Sequence, residues 1–307
     1  TINIISLIAT IYLISEKKNS NNFNNYFNNL KSEDIFNFVD KINKSLLQEK
    51  EINFINILLL SNKFQINNES KKKINSLCLF DNIETLLPEK ESDYYNNIIN
   101  DKFNKNKNHI TPTLIYKSDL VMTNIIHFRT NWLNPFRIEN TSVKVFYGEK
   151  KRKLIPMMKI YNSDILFYKK GNDVLFEIEC YNNLNIGFYS SEDKNIINWN
   201  DTYNMIKKFR RVKINKLTIP KFKNHCKFKL HNVFNDIGLN FMNEIETNES
   251  VYNNKFKLSN TNHQILFEVF EGSSNNNLQI NNSDTKDYIN SISLNSPFTY
   301  YVRDIKS

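Results

Sequence analysis

Apolar positions follow two textures along the chain. In the first third they recur at helical spacing: Ser32 stands as an N-cap, Glu33 and Asp34 follow in the first turn, and Ile35, Phe38, Ile42 and Leu46 then fall three and four residues apart. Upstream, the apolar stretch from Ile2 to Ile14 is interrupted by Asn3, Ser6 and Thr10 and predicts a buried helix. It falls short of the ~18 uninterrupted apolar residues of a membrane span, and none is expected. Asn-rich text over 19–29 and 102–108 predicts loop or solvated helix surface. Beyond Leu114 the period shortens. Runs 121–128, 143–147, 174–180, 217–222, 265–270 and 298–302 are β-branched or aromatic and of strand length. One helix is expected among them, because Phe228, Leu230, Val233, Phe234 and Ile237 lie near helical spacing and Gly238 follows where a left-handed cap is wanted. No repeat and no Pro- or Gly-rich linker divides the text, so a single α+β domain over residues 1–307 is expected, helices first and sheets later.

Composition narrows the chemistry. The 307 residues hold 41 Lys and Arg against 32 Asp and Glu, for a formal charge of +9, with 40% hydrophobic and 13% aromatic residues to supply a core. Asparagine exceeds fifty while alanine occurs once, at Ala9, a bias toward AT-rich codons that points to a virus or parasite. Cys78, Cys180 and Cys226 are odd in number and form no C-x-x-C pair, which argues against a disulfide scaffold or a cysteine zinc cluster. The five glycines stand at 148, 171, 187, 238 and 272, too far apart for a phosphate-cradling loop. G-x-S-x-G and H-E-x-x-H are absent, and His109, His127, His225, His231 and His263 lack metal spacing. A non-enzyme without cofactor or metal is therefore expected. Basic runs at 71–73 and 150–153, and at Lys207, Lys208, Arg210 and Arg211, suit either a solvated face or contact with nucleic acid, a heparin-like polyanion or a membrane surface.

Five segments carry a sharper signal. The stretch from Asn124 through Phe128, Trp132 and Phe136, continued by Thr141 and Phe146, resembles N-A-x-Y-F-K-G-x-W-x-x-x-F with its downstream Thr and Phe, and Ile155-Pro-Met-Met-Lys159 resembles V-P-M-M-K. Leu217-Thr-Ile-Pro-Lys-Phe222 is similar to L-x-x-P-K-F, with Leu230 and Asp236-Ile-Gly-Leu239 matching the helix beyond it. Residues His263 to Gly272 resemble H-K-A-x-I-E-V-N-E-E-G, and Pro297 to Asp304 resemble P-F-L-F-F-I-R-D. In this order they resemble the motifs of the serpins, a family of serine protease inhibitors.

The resemblance implies helices packed on one large mixed sheet, two smaller sheets and an exposed reactive loop over about 272–297. In inhibitory serpins a protease cleaves this loop, which inserts as a new strand and carries the acylated protease with it. Fourteen residues forward from Gly272 and twelve back from Phe298 both reach Lys286, so Lys286-Asp287 is the expected reactive bond, suited to a trypsin-like serine protease. Cleavage after Asp284 or Asp287 would instead suit a caspase-like target. The hinge maps to Glu271, Gly272, Ser273 and Ser274. Trp132 and Lys221 match residues where insertion begins, with Lys221 expected to pair with Glu271, while Asn124 and His263 match the polar pair that holds the central strands. An N-terminal helix and a C-terminal strand of the family are expected beyond this sequence. A monomer acting in host cytoplasm or outside cells is implied.

Asn275, Asn276 and Asn277 stand where inhibitory members carry alanines. About half of such side chains would face inward on insertion, where an unpaired amide costs ~1–3 kcal/mol. Two functions follow: a loop-inserting inhibitor, or a non-inhibitory binding module that presents its loop or basic face to a partner.

Overall fold

The computed structural model describes residues 32–48, 52–64, 66, 68–104, 107, 109–116, 118–191, 199–230, 234, 244–246, 255–272 and 287–305. Helix α1 (Ser32–Gln48) forms where the periodicity predicts it. Among its described side chains Ile35, Val39 and Asn43, one turn apart, are buried, whereas Phe38 faces solvent. Next comes β1 (Ile52–Ser61), in a region whose texture suggested helix; every residue from Phe54 to Ser61 is buried, as in a strand covered on both faces. The chain continues through α2 (Asn68–Leu77), β2 (Leu79–Ile83), α3 (Pro88–Phe103), α4 (Pro112–Tyr116) and β3 (Leu120–Arg129). Asn104, left-handed at φ 49°, caps α3 by donating its N–H to the Asn100 carbonyl.

Strands then dominate: β4 (Ser142–Tyr147), β5 (Arg152–Lys170), β6 (Asp173–Glu179), β7 (Leu184–Ser190), helix α5 (Trp199–Ile206), β8 (Arg210–Pro220), β9 (Phe222–Lys229), β10 (Glu244–Glu246), β11 (Lys255–Val269), β12 (Tyr288–Ser293) and β13 (Thr299–Asp304). Two expectations change here. The strand expected over 217–222 is broken at Lys221, after Pro220, which has no N–H to donate. Phe228 belongs to β9 rather than to a helix, whereas Leu230 and Phe234 are helical and buried. Val233, Ile237 and Gly238 lie outside the described residues, as does the 2–14 segment.

The chain falls into two compact units, one of residues 1–128 with 224–267 and one of residues 129–223 with 268–307. The first is built on a mixed sheet in the order β10-β11-β3-β1-β2, with β9 also paired to β11. β1 runs parallel to β2 and antiparallel to β3. Ile55, Ile57 and Leu59 of β1 and Val121 and Ile125 of β3 share a core with Tyr95, Ile99 and Phe103 of α3. On the other face of β1, Asn56 donates to the carbonyl of Leu77, the last residue of α2, and Asn43 of α1 donates to the same oxygen. The open C-terminus of α2 is thereby satisfied from two elements.

The second unit is a mixed seven-stranded sheet ordered β12-β8-β5-β6-β7-β13, with β4 paired to β5. Gly187 of β7 stands directly opposite Tyr301 of β13. A Cβ at Gly187 would lie 2.0 Å from the tyrosine Cζ, so the ring lies flat on bare backbone. That placement carries the Tyr301 hydroxyl to the fully buried Glu177, to which it donates at 2.9 Å. Glu177 also accepts from Asn185 Nδ2 at 2.8 Å and from Arg303 Nε and Nη2 at 2.8 and 2.6 Å. Burying a carboxylate is tolerated only with such pairing. Arg303→Met should cost roughly 3–5 kcal/mol in chemical denaturation, because the carboxylate would stay buried without its cation, whereas Glu177→Met combined with Arg303→Met should recover most of the loss.

Candidate functional site

The root of the expected loop is assembled in the second unit, where the segment 268–272 is held by the turn that follows β3. Thr130 N–H donates to the Glu268 carbonyl, Trp132 Nε1–H donates to the Phe270 carbonyl at 2.7 Å, and Phe136 N–H donates to the Glu271 carbonyl. Phe270 N–H returns a bond to Thr130 Oγ1. The indole of Trp132 is buried, packs edge-on to Phe136, and so serves as both core and clasp. Arg129 lies over the Phe270 ring at 4.2 Å.

Glu271 is the charged centre of this cluster. Its buried carboxylate meets Lys221 Nζ at 2.8 Å and accepts from Thr141 Oγ1 at 3.0 Å. Burial pushes this carboxyl up, but the hydrogen bonds from Lys221 and Thr141 outweigh it and hold the group below its ordinary range. The break between β8 and β9 is what frees Lys221 for this role: its backbone N–H bonds the Pro156 carbonyl while its side chain reaches Glu271. Gly272 then turns the chain at φ +98°, a conformation that L side chains rarely adopt, and a Cβ there would lie close to Pro135, at 3.2 Å.

A second polar cluster lies in the first unit. Asn56 of β1 faces Asn124 of β3 directly, and Asn124 Nδ2 donates to Asn56 Oδ1. Asn124 Oδ1 meets His263 Nδ1 of β11, which makes Nδ1 the protonated nitrogen of a neutral ring. The line thus runs from the end of α2 through β1 and β3 to β11, and all three side chains are buried. Burial pushes the His263 pKa down to about 4 from an ordinary 6.5.

The sequence brought Trp132, Lys221, Glu271 and Gly272 into one expected group and Asn124 with His263 into another, and each group is contiguous in space. Asn56 and Thr141 were missed as members. The sequence signal for Asn56 was a lone amide inside the apolar run 54–60, hidden by the Asn-rich background. Ser273, Ser274 and Lys286 lie outside the described residues. Asp287 stands at the start of β12, its carbonyl accepting from Lys213 N–H at 3.0 Å and its carboxylate 3.2 Å from Arg210. Of the basic quartet, Arg210 is thus paired, Arg211 pairs with Glu179, Lys207 lies over the Tyr203 ring, and Lys208 is exposed. Among the described residues no cluster has metal-binding composition, and no helix is long and apolar enough to cross a membrane.

A family model described as serpin (serine protease inhibitor) matches residues 1–307. The chain belongs to the serpin family. Among curated serpins, a serpin-like protein of Acanthamoeba polyphaga mimivirus is 23% identical over 70% of the chain, and serine proteinase inhibitor 2.4 of Apodemus sylvaticus is 22% identical over 73%. The chain spans 57% of the length of each. In fold it is similar to the crystal structure of maspin, with a TM-score of 0.83 at 15% identity, covering 99% of this chain and 87% of that one. It is also similar to native protease nexin-1 with heparin, with a TM-score of 0.80 at 15% identity over 98% of this chain and 87% of that one. These likenesses establish the α+β serpin fold, with helices packed on mixed sheets.

The two clusters give separate stability tests. Because the folded-state pKa of His263 is depressed, the unfolded chain binds a proton between pH 6.5 and about 4 that the folded chain does not. Stability is therefore complete above that window and falls by ~3 kcal/mol as pH drops through it, and His263→Gln should remove this slope in pH-dependent denaturation. Lys221→Met should lower stability by ~1–3 kcal/mol at neutral pH, since it leaves the Glu271 carboxylate buried with only Thr141 and backbone as partners. Adding Glu271→Gln to that variant should restore part of the loss in the same denaturation measurement.

Proposed function

We propose that this serpin is a serine protease inhibitor that works by loop cleavage and strand insertion, with Lys286 as its bait residue and a trypsin-like protease as its target. The observation that carries the reading is the adjacency of β3 and β11 in the first unit's sheet, clasped by the Asn124–His263 contact with no strand between them. A sheet of this kind can accept one more strand there. Insertion would satisfy the backbone groups of the cut loop, and the barrier to it is the parting of a buried polar contact and the strands that carry it. Glu271 and Gly272, fixed by Lys221, Trp132 and Thr141, give the loop a defined starting point.

A second reading rests on the loop's other end. Asp287 is paired to β8 and to Arg210, directly before β12. A protease needs several extended residues on both sides of the bond it cuts. Together with Asn275 to Asn277 this favours a non-inhibitory serpin that presents its loop, or its basic residues around Lys207 and Lys208, to a partner or polyanion.

Incubation with trypsin-like proteases separates the two. The inhibitor gives an SDS-stable complex that Lys286→Ala abolishes, and its loop-cleaved form melts well above the intact one. Clean cleavage without complex and without a rise in Tm would sink the trapping mechanism and leave the binding module. The same mixture run with a caspase-like protease and with Asp284→Ala and Asp287→Ala identifies an acidic bait residue, if that is the one cut.

A further inference from the structure

The ribbon of β4 and β5 has an unusual outer face. Its pairing sets Val143 opposite Pro156, Val145 opposite Leu154 and Tyr147 opposite Arg152. Residues directly paired in an antiparallel ribbon project from the same face, so these six form one stripe. The alternate face is the inward one: Phe146 packs edge-on to Phe298, and Met157 is fully buried. A ribbon buried on one side normally turns polar residues to water on the other. Here that side carries Val143 at 65% exposure, Leu154 at 72% and Tyr147 at 46%. The strand-joining turn and the end of the stripe beside it are basic, with Lys150, Lys151 and Arg152 against Glu149 alone.

A complementary surface stands in the first unit, at the start of α3. Leu86 is 78% exposed and Leu87 half-exposed, next to an exposed Tyr94 on the helix. Around them the chain is acidic: Asp81, Glu84, Glu89, Glu91 and Asp93 against Lys90 alone, in a protein whose net charge is +9. No side-chain cap closes the N-terminus of this helix at Leu87. Exposed apolar patches rimmed by charge mark interaction surfaces, and rims of opposite sign steer the two faces together.

We propose that these faces bind each other between two copies of this chain, the apolar ribbon of one copy seating the Leu86–Leu87 corner of the next. The occupant is a second copy because the same chain displays both halves, each with an exposed apolar centre and an oppositely charged rim. The contact joins two different patches, so a dimer held by one such contact keeps one free ribbon and one free corner, whereas two reciprocal contacts close it. Mass therefore rises with concentration, to a closed dimer or to longer species. Each face presents only a few apolar side chains, which places the contact in the small, transient class. It replaces the monomer that the sequence suggested, and it is independent of whether the loop traps a protease.

Sedimentation velocity on the intact chain tests this. Mass should rise with protein concentration, and association should weaken roughly tenfold between about 0.1 M and about 1 M salt, as the screening length falls from about 10 Å to about 3 Å. Leu154→Glu and Leu86→Lys sit at strongly exposed positions, should leave Tm within about a degree because surface substitutions change stability little, and should each be monomeric. Mixed together, the two variants should form a one-to-one heterodimer that grows no further, since Leu154→Glu retains an intact corner and Leu86→Lys an intact ribbon. A chain that stays monomeric at all concentrations overturns the proposal, as does association that survives both variants or is not restored on mixing. Vesicles of anionic lipid, and an acidic peptide carrying paired leucines, are run alongside. If either binds the ribbon in a Leu154-dependent way while the chain alone stays monomeric, the face belongs to that partner and the proposal fails.

Discussion

An amide in the middle of an apolar sheet must find a partner or the strands around it separate. Asn56 and Asn124 meet this condition only because the β1–β3 register sets them opposite each other, and His263 only because β11 lies next to β3. The remainder of the first unit follows from this line. Asn56 also closes the end of α2, which anchors the helices on one face of β1, while the apolar residues of the other face pack on α3. Net gain from each bond is small, but the penalty for leaving any member buried and unpaired is larger, so the cluster acts as a clasp with an all-or-none character.

The second unit applies the same rule to charge. Glu177 is buried with a bidentate arginine, a tyrosine hydroxyl and an amide, and Glu271 with Lys221 and Thr141. The first locks β13 to the sheet and has no exit; the second sits where the chain leaves β11, beside the forced turn at Gly272. The ion pair with Lys221 thereby holds the chain at Glu271, immediately before Gly272.

Compositional drift shaped this molecule without erasing its fold. A chain with one alanine and a surplus of asparagine still meets the requirements of its buried positions, since the sheet cores are Ile, Leu, Val and Phe. Where asparagine does enter the interior, at 43, 56, 96, 124 and 185, it bonds a backbone carbonyl or another polar side chain.

Helical spacing located α1, and β-branched or aromatic runs located strands such as β3, β4 and β6. The helical texture of the first third did not mark β1, whose residues from Phe54 to Ser61 are all buried, and it placed the buried stripe of α1 at Phe38 rather than Val39. The motif series named Trp132, Lys221, Glu271, Asn124 and His263 and the pairs Lys221–Glu271 and Asn124–His263, but gave Thr141 only as a motif residue and Asn56 not at all. Thr141 and Asn56 became members only through tertiary structure, because they lie 130 and 68 residues from the groups they bond and nothing local in the chain encodes that distance. Likewise the text 217–222 reads as one strand, and the tertiary structure breaks it after Pro220, where the Lys221 side chain meets Glu271. Sequence sets what each residue needs; register and sheet order decide which neighbour supplies it.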